Sequence, residues 1–380
     1  MKIALVNNFP PYSGTGRVPY SLFHQFQNSP ELNVNADLYC THYLESIDLA
    51  LPENSGVTFL HHFPYKQHEN LSRLMIYFVD PLRIPRGYDL YHIGNHMLGN
   101  YLYFLKPIVI TVHDLLQFKY ETEMSTSLSS LIYDKLLRIS LNALPRAKKI
   151  ICVSDWTRRE VLKKFGLPEE KAVTIHNGVD HTLYKPGNRE EARYRLGLPQ
   201  DKKILLNVGA ETKRKNIPML LKAAAALLKE GIDFHLIRVG EKTELIGKLI
   251  NDLGLAQQVT YFGNVKEAQM PDFYRAADLL LMPSLDEGFG FPLLEALSCG
   301  LPAVASDVGP LSEIGGTAAF YASPNDLNGW VNNARKILSL SETEKTGLIS
   351  AGLSQSEKFS WERNAKETAV VYGSIINNGN

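Results

Sequence analysis

The chain has few cysteines, no excess of charge of either sign and no long hydrophobic run. Its three cysteines, Cys40, Cys152 and Cys299, are far apart in the 380 residues, and no Cys-x-x-Cys pair occurs. This spacing argues against a disulfide framework and a zinc site, and reduced thiols are typical of cytoplasmic proteins. No segment reaches the roughly 20 apolar residues of a membrane-spanning helix. The first residues become polar too soon for a signal peptide, so we expect a cytoplasmic protein.

The charge balance gives no reason to expect nucleic acid as a partner. Lysine and arginine together number 40, as do aspartate and glutamate, so the formal net charge is zero. Basic residues cluster only locally, as in the largely apolar segment 71–88, which contains Arg73, Arg83 and Arg86. The simpler interpretation of this segment is a half-buried amphipathic helix with a solvated basic face. The alternative is peripheral docking on an anionic inner membrane surface that carries a lipid-linked acceptor.

Length and strand pattern indicate two α/β domains. At roughly 100–200 residues per domain, a chain of this length suggests two. Short apolar runs, nearly continuous as in parallel strands covered on both faces, alternate with helical patterns. The strands predicted in the first half are Ile3–Val6, Asp89–Ile93, Ile108–Val112, Lys149–Val153 and Val173–His176. A helix is predicted from about Arg17, and another after Ser154 as N-cap with Gly166 as its stop.

A turn-rich segment, 177–201, interrupts this alternation and is interpreted as the interdomain connection. The alternation then starts again with strands predicted at Lys203–Gly209, Phe234–Val239, Val259–Phe262, Leu279–Met282 and Ala303–Ala305. We therefore predict domains at residues 1–185 and 186–358, followed by a C-terminal helical segment, 359–380, that packs back on the first domain.

The segment after the fourth of these later strands carries two carboxylates. Ligands of open α/β sheets bind at the carboxyl ends of the strands. The segment reads Glu287-Gly288-Phe289-Gly290-Phe291-Pro292-Leu293-Leu294-Glu295. Pro292 suits the first position of a helix, whose free N–H groups and positive dipole end suit a phosphate. The glycines let the backbone approach a ligand closely, and the carboxylates are good acceptors for sugar hydroxyls.

Two glutamates separated by seven residues in this wording resemble the hallmark of the family-4 retaining glycosyltransferases, the "glycosyl transferases group 1". The resemblance extends from residue 1 to about Tyr372. It implies the GT-B fold, in which two Rossmann-like domains with parallel sheets face each other across a cleft. It also implies that Glu287 contacts hydroxyls of the transferred sugar and that Glu295 holds the ribose. The backbone of Gly288, Phe289 and Gly290 would contact sugar or phosphate.

Three cations, Lys213, Arg214 and Lys215, follow the first strand of the second domain. Cations at this place can neutralise a departing diphosphate, which is the main catalytic demand when a sugar leaves a nucleotide. On its own the pattern fits a solvated loop about equally well. The resemblance implies an Arg–Lys clamp on the diphosphate, with Lys215 as the lysine and Arg214 as the arginine. Many family members carry that arginine directly after the glycine, where this chain has Ala210.

Residues at the ends of first-domain strands complete the implied site. A lone loop histidine is usually structural, but the resemblance implies that His113 lines the sugar face near the reacting carbon. Asp114 would orient this histidine or serve the fold. Gly14 and Gly16 open the first helix in the manner of a phosphate-cradling loop, although Pro19 replaces the third glycine of the dinucleotide fingerprint. The resemblance implies that this loop flanks donor phosphate and acceptor.

Phe262 and Asn264 resemble the family segment whose backbone meets the nucleotide base. No Asp-x-Asp metal motif follows a strand, so we expect neither a metal nor a cofactor. The charge on the leaving group would be met by Lys215, Arg214 and helix dipoles.

These patterns predict a retaining hexosyltransferase that uses a GDP-mannose- or UDP-glucose-type donor. It would act on a glycan, lipid-linked or small-molecule acceptor by a metal-independent front-face mechanism. The Arg-Lys-Asn and His-Asp patterns favour mannosyl-type relatives. The alternatives are a GT-B sugar-nucleotide epimerase or phosphorylase, and a non-catalytic two-domain nucleotide- or sugar-binding protein. An NAD-dependent dehydrogenase fits less well, because the fingerprint is incomplete. The sequence leaves the oligomeric state open.

Overall fold

The computed structural model describes residues 1–41, 56–60, 69–116, 128–263 and 265–377 of the chain. The chain divides into two compact units, Met1–Gly178 with Trp361–Asn380, and Val179–Ser360. Each unit contains one all-parallel sheet accompanied by helices, so the predicted α/β class is confirmed. The predicted domain boundaries, 185/186 and 358/359, lie a few residues from these divisions.

The first unit is built on a seven-stranded sheet. Its strands are β1 (Lys2–Asn7), β2 (Asn35–Cys40), β3 (Val57–Phe59), β4 (Leu90–Ile93), β5 (Ile108–Val112), β6 (Lys149–Cys152) and β7 (Ala172–Thr174). They are arranged in the order β3-β2-β1-β4-β5-β6-β7. The apolar residues Ile3 to Val6 of β1 are at most 1% exposed, as expected for a central strand covered on both faces.

The helices of the first unit follow the strands. They are α1 (Gly14–Asn28), α2 (Glu69–Leu74), a π-helical turn (Met75–Val79), α3 (Asp80–Arg83), a 3₁₀ helix (His96–Tyr103), α4 (Leu128–Ala143) and α5 (Asp155–Phe165). Short 3₁₀ turns lie at Pro30–Leu32, Leu144–Arg146 and Glu169–Lys171. The caps of α5 are as predicted: Ser154 Oγ accepts the Thr157 N–H at 3.1 Å, and Gly166 adopts a left-handed φ of 59°.

Two features of the first unit differ from the sequence prediction. Helix α1 begins at Gly14 instead of about Arg17, because Ser13 Oγ caps it by accepting the Gly16 N–H at 3.0 Å. Strands β2 and β3 were not predicted. In β2 the polar residues Asn35 and Asp37 interrupt the apolar run, and β3 is a three-residue edge strand.

The second unit contains a six-stranded sheet. Its strands are β8 (Lys203–Val208), β9 (Phe234–Val239), β10 (Val259–Phe262), β11 (Leu279–Met282), β12 (Ala303–Ser306) and β13 (Phe320–Ala322). They are arranged in the order β10-β9-β8-β11-β12-β13. The edge strand β13 has only three residues and was not predicted.

The helices of the second unit include one within the segment interpreted as the interdomain connection. They are α6 (Arg189–Arg195), α7 (Ile217–Lys229), α8 (Glu244–Asp252), α9 (Met270–Ala276), α10 (Phe291–Ser298), α11 (Gly309–Gly315), α12 (Leu327–Leu338) and α13 (Glu342–Ser356). Three 3₁₀ turns accompany them, Lys213–Lys215, Glu267–Gln269 and Gly316–Ala318.

Helix α6 shows that the interpretation of all of 177–201 as a turn-rich connection was wrong. Asn188 caps this helix, and Arg193 within it is only 5% exposed. The Arg193 guanidinium lies 2.7 Å from the buried carboxylate of Asp278, so α6 is anchored to the second unit.

The last helix, α14 (Trp361–Asn377), returns to the first unit. The Tyr372 hydroxyl lies 2.6 Å from Nδ1 of the buried His92, and the Tyr372 ring centroid is 5.9 Å from that of Phe26. Among the described residues, no helix combines the length and the apolar character needed to cross a bilayer.

In both sheets the chain changes direction beside the first strand. Neighbours β1 and β4, and likewise β8 and β11, are not consecutive in the chain. Between such strands the loops leave their carboxyl ends towards opposite sides, which opens a crevice where ligands of α/β proteins bind. In the second unit, the loops after β8 and β11 border this crevice.

Candidate functional site

Two loops meet at the crevice of the second sheet. The turn Lys213–Lys215 follows β8, and residues 283–290 follow β11. The Leu285 N–H donates to the Arg214 carbonyl at 2.7 Å, which ties the two loops together through the backbone. Residues distant in sequence are thereby placed in one site.

Glu287 is the centre of this site. Its side chain is 7% exposed, and its Oε1 accepts hydrogen bonds from Lys215 Nζ and Ser284 Oγ, both at 2.7 Å. Its Oε2 lies 2.6 Å from Arg214 Nη1, which also donates to the Asp286 carbonyl at 3.2 Å. The structure therefore brings together three of the residues singled out in the sequence, and it adds Ser284, which the sequence analysis missed.

The cations keep the Glu287 carboxylate ionised. Burial alone raises the pKa of Glu287, but the charges of Lys215 and Arg214 and the hydrogen bonds from Lys215 and Ser284 hold that pKa below its ordinary value. Burial lowers the pKa of Lys215, with repulsion from Arg214 and Arg238, while Glu287 opposes the shift. Two cations facing one carboxylate leave a positive excess, which suits a ligand with more than one negative charge.

Gly290 shapes the start of α10. It adopts φ 115°, a conformation that L side chains rarely adopt, and a Cβ on it would lie 2.6 Å from Leu311 Cδ2. Pro292 was predicted at the first position of this helix. Helix α10 begins one residue earlier, at Phe291, so Pro292 is its second residue. The Phe289 side chain is 4% exposed and packs on Phe291, so only the backbone of this residue is left for ligand contact.

The second glutamate of the pattern lies inside α10 and is also buried. Glu295 is 4% exposed, and its Oε2 accepts the hydroxyl hydrogen of Tyr274 in α9 at 2.6 Å. This bond fixes the direction of the carboxylate. No motif points to this role for Tyr274, because an aromatic residue on the apolar face of a helix is usually a core residue.

In the first unit, His113 directly follows β5 and is 6% exposed. Its Nε2 lies 2.9 Å from the Gly94 carbonyl, and since a carbonyl can only accept, Nε2 carries the proton. Burial, together with the nearby His96, lowers the pKa of His113 to about 4, although the hydrogen bond to Gly94 and the charge of Asp114 oppose this. The imidazole is therefore neutral near pH 7. Asp114 itself accepts the Leu116 N–H at 3.1 Å, a local turn contact.

Gly14 and Gly16 form the first turn of α1, after the central strand β1. A Cβ on Gly16 would lie 2.1 Å from the Pro10 carbonyl oxygen, so a glycine is required here by the packing of the helix start on its own loop. Pro19 stands inside α1 and touches Gly94, whose Cβ would lie 2.3 Å from Pro19 Cγ. The role of this turn beside phosphate stays a prediction.

The predicted base-binding segment is only partly described. Phe262 is the last residue of β10, and its ring packs on Phe273 with centroids 4.9 Å apart. Asn264 lies outside the described residues. Within the described ranges, no group of three or more His, Cys, Asp or Glu side chains is arranged to hold a metal ion.

Comparison with known families agrees with this arrangement. Residues 12–183 match the family model described as Glycosyltransferase Family 4, and residues 188–347 match the model described as Glycosyl transferases group 1. The chain belongs to the group 1 glycosyltransferases. The two matches together span most of both units of the chain.

Two curated glycosyltransferases are each 32% identical to this chain over the aligned residues. A D-inositol 3-phosphate glycosyltransferase of Catenulispora acidiphila is 32% identical over 246 residues, which are 61% of this chain and 59% of the relative. The O-antigen chain mannosyltransferase B of Escherichia coli is 32% identical over 240 residues, 60% of this chain and 61% of the relative. The chain thus spans about three fifths of the length of these relatives.

Solved structures share the fold over nearly the whole chain. A sucrose-phosphate synthase from Thermosynechococcus elongatus superposes with a TM-score of 0.77 at 22% identity and covers 99% of both chains. Anabaena HepE in complex with UDP-glucose gives a TM-score of 0.74 at 20% identity, over 98% of this chain and 100% of the other. The fold is therefore that of the GT-B glycosyltransferases.

Proposed function

We propose that the protein is a retaining glycosyltransferase that moves a hexose from a nucleoside-diphosphate sugar to a glycan, lipid-linked or small-molecule acceptor. The observation that carries the proposal is the cluster in which Glu287 accepts hydrogen bonds from both Lys215 and Arg214 at the crevice of the second sheet. Family membership supports the same reaction class.

In this proposal the diphosphate is the leaving group and the cations are its counter-charge. Negative charge develops on the diphosphate oxygens as the bond between sugar and phosphate breaks. Lys215 and Arg214 are already oriented by Glu287, so stabilising that charge requires little reorganisation. The free N–H groups of α10 add to the positive potential. Glu287 accepts hydrogen bonds from hydroxyls of the sugar, and Glu295 from the ribose.

In this proposal the acceptor attacks on the front face with retention, and the low pKa of His113 supports a mechanism without this residue as general base. A base with a pKa of about 4 abstracts a proton poorly at neutral pH, because efficient general bases have a pKa near the working pH. His113 then serves as a neutral hydrogen-bonding contact on the sugar face. The departing diphosphate takes the proton of the acceptor hydroxyl while that oxygen bonds to the anomeric carbon on the same face.

We propose GDP-mannose as the donor to test first, with UDP-glucose as the competitor. Similarity to a protein named as a mannosyltransferase supports mannose. A thermal-shift panel of GDP, UDP, ADP and their sugars measures donor preference, because a ligand that binds only the folded protein raises its melting temperature. The preferred donor is then incubated with candidate acceptors, and the product is tested for retained anomeric configuration.

Each competing function predicts a different product. An epimerase would convert the sugar nucleotide without an acceptor, and a phosphorylase would release sugar phosphate. A binding protein would be stabilised by the donor without releasing free nucleoside diphosphate. If no nucleoside diphosphate or sugar nucleotide stabilises the protein, the proposed donor site is wrong.

Peripheral contact with a membrane is a separate part of the proposal. Around the π-helical turn of the first unit, the apolar side chains of Leu74, Phe78, Val79 and Leu82 are 41–62% exposed. Arg83 is 41% exposed close to them. Apolar residues beside arginines suit the surface of an anionic bilayer. We expect the protein to float with anionic liposomes but not with neutral ones. Equal flotation with both would contradict the proposed membrane contact.

A further inference from the structure

A buried arginine lies beneath the loop that carries the cation pair. Arg238 in β9 has 0% exposure, which is rare for a guanidinium. Its Nη2 donates to the Gly209 carbonyl at 2.9 Å, and its Nη1 donates to Oδ1 of Asn207. Within the described residues its Nε has no hydrogen-bond partner. Burying a guanidinium costs free energy unless its charge and its N–H groups find partners. The partners of Arg238 lie at the end of β8, where the loop that carries Arg214 and Lys215 begins.

Gly209 lies between this guanidinium and the ammonium group of Lys215. A Cβ on Gly209, which has φ 132°, would lie 3.2 Å from Lys215 Cε and 3.6 Å from Lys215 Nζ. On the other side, a Cβ on Gly240 would lie 2.4 Å from the Gly209 carbonyl oxygen and 3.6 Å from Arg238 Nη2. Because Gly209 and Gly240 have no side chains, Lys215 and Arg238 can both lie close to the backbone of Gly209, on different sides of it.

The charge of Arg238 is only partly neutralised. The nearest carboxylate oxygen, on Glu211, is 4.0 Å from Nη2. The same carboxylate also accepts the Tyr261 hydroxyl hydrogen at 2.5 Å and the Thr243 N–H at 2.7 Å, so two hydrogen-bond donors compete with Arg238 for it. Arg238, Lys215 and Arg214 together face two carboxylates, Glu211 and Glu287. These three cations and two carboxylates together carry one positive charge in excess, in a region where burial weakens screening by water.

We propose that Arg238 is a positioning residue of the diphosphate site, which it serves in two ways. It fixes the Gly209 carbonyl and thereby the loop that carries Arg214 and Lys215. It also contributes a third positive charge behind that loop, so that the site distinguishes two phosphates from one. This inference rests on the proposed function, because its ligand is a nucleoside diphosphate.

The test compares a nucleoside diphosphate with the corresponding monophosphate. Dissociation constants of GDP and GMP, and of UDP and UMP, are measured by calorimetry for the wild type and for Arg238→Gln. The wild type should bind the diphosphate more tightly. Arg238→Gln should reduce this preference about tenfold, the effect of one unit charge several ångströms from a phosphate in a partly buried site. Arg238→Lys, which keeps the charge, should retain most of the preference.

The matched control is Arg193→Gln, which removes another buried guanidinium from the same unit. Arg193 binds the carboxylate of Asp278, which precedes β11 and so lies at the amino ends of the strands, away from the crevice. This control should destabilise the protein without changing the ratio of the two dissociation constants. If a general loss of rigidity caused the effect of Arg238→Gln, the preference for the diphosphate would fall in both variants. That result would overturn the inference.

A variant of opposite sign keeps the inference testable if Arg238→Gln does not fold. Glu211→Gln removes the partial counter-charge, so the preference for the diphosphate should rise. A preference that is unchanged or lower in Glu211→Gln contradicts the inference. A wild type that binds no nucleoside diphosphate overturns the proposed function itself. A wild type that binds it, with the same ratio in Arg238→Gln, overturns this inference alone.

Discussion

Lys215 Nζ and Glu287 Oε1 lie 2.7 Å apart, although the two residues belong to loops that follow different strands. The contact exists because β8 and β11 are neighbours in the sheet, and the Leu285–Arg214 backbone hydrogen bond holds the loops in register. One pair thus joins a proposed diphosphate contact to a proposed sugar contact. Removing either partner leaves a buried charge with fewer neighbours.

Replacing Lys215 by methionine should reduce kcat/KM for transfer by about 100-fold or more. Methionine fills a similar volume but cannot neutralise the leaving group, and one lost electrostatic contact to a developing anion commonly costs about that factor. Initial rates of nucleoside diphosphate release, with the preferred donor and acceptor, measure the effect.

The control for this variant is Lys213→Met. Lys213 belongs to the same 3₁₀ turn but is exposed. Its loss should change kcat/KM by no more than about twofold, since an exposed charge is well screened. Wild-type rates from Lys215→Met, or equal losses in both variants, would show that Lys215 does not contact the leaving group.

The Tyr274–Glu295 hydrogen bond should contribute to recognition of the ribose. Tyr274→Phe releases Glu295 Oε2 without changing charge, so KM for the donor should rise about three- to tenfold with little change in kcat. Glu295→Gln should narrow the difference in affinity between the nucleoside diphosphate and its 2′-deoxy analogue. If the variant discriminates against the deoxy nucleotide as strongly as the wild type does, Glu295 does not hold the ribose.

Much of the fold could be predicted because buried parallel strands leave a strong signal. Strands β5, β9, β10 and β11 have the predicted bounds, since most of their residues are apolar. The three-residue edge strands β3 and β13, the second strand β2 and the charged helix α6 could not be recognised. Three residues are too few to show a strand pattern, polar residues interrupt β2, and a helix anchored through Arg193 and Asp278 resembles a linker in composition.

The site could be predicted only in part, for a similar reason. Glu287, Lys215 and Arg214 were identified through their motifs, and the structure brings them together. Ser284, Tyr274 and Arg238 carry no motif. Their roles come from cross-strand and cross-helix contacts that depend on the register of the sheet, as in the pairing of Arg238 with Asn207 and Tyr261.

Two buried histidines should make the protein less stable in acid. Burial, with repulsion from His113, lowers the pKa of His92 to about 3, and burial is also the main cause of the pKa of about 4 at His113. In the unfolded chain a histidine titrates near pH 6.5. Between these values the unfolded state binds more protons, so stability falls as the pH falls. From pH 7 to pH 5 the free energy of unfolding should drop by about 2 kcal/mol per histidine.

Denaturant titrations of His92→Gln at pH 7 and pH 5 check this expectation. Glutamine can still form hydrogen bonds with Tyr372 and Thr111 but does not titrate. Its loss of stability between the two pH values should be about 2 kcal/mol smaller than that of the wild type. The exposed His24→Gln variant should keep the wild-type pH dependence. An unchanged pH dependence in His92→Gln would show that folding does not lower the pKa of His92.

Gly290→Ala should destabilise the protein and weaken donor binding together. An alanine at φ 115° is strained by about 1–3 kcal/mol, and its Cβ would meet Leu311 at 2.6 Å. Relief of that contact shifts the Leu311 side chain or the start of α10, to which the loop carrying Glu287 leads. Gly347→Ala is the opposite case, because Gly347 lies in the exposed interior of α13 with no atom within 4 Å of a new Cβ. That variant should gain about 1 kcal/mol from helix propensity and bind the donor as the wild type does.

Melting temperatures and donor dissociation constants of the Gly290→Ala and Gly347→Ala variants distinguish the two cases. A Gly290→Ala protein that is as stable as the wild type and binds the donor equally well would show that the left-handed turn does not shape the site.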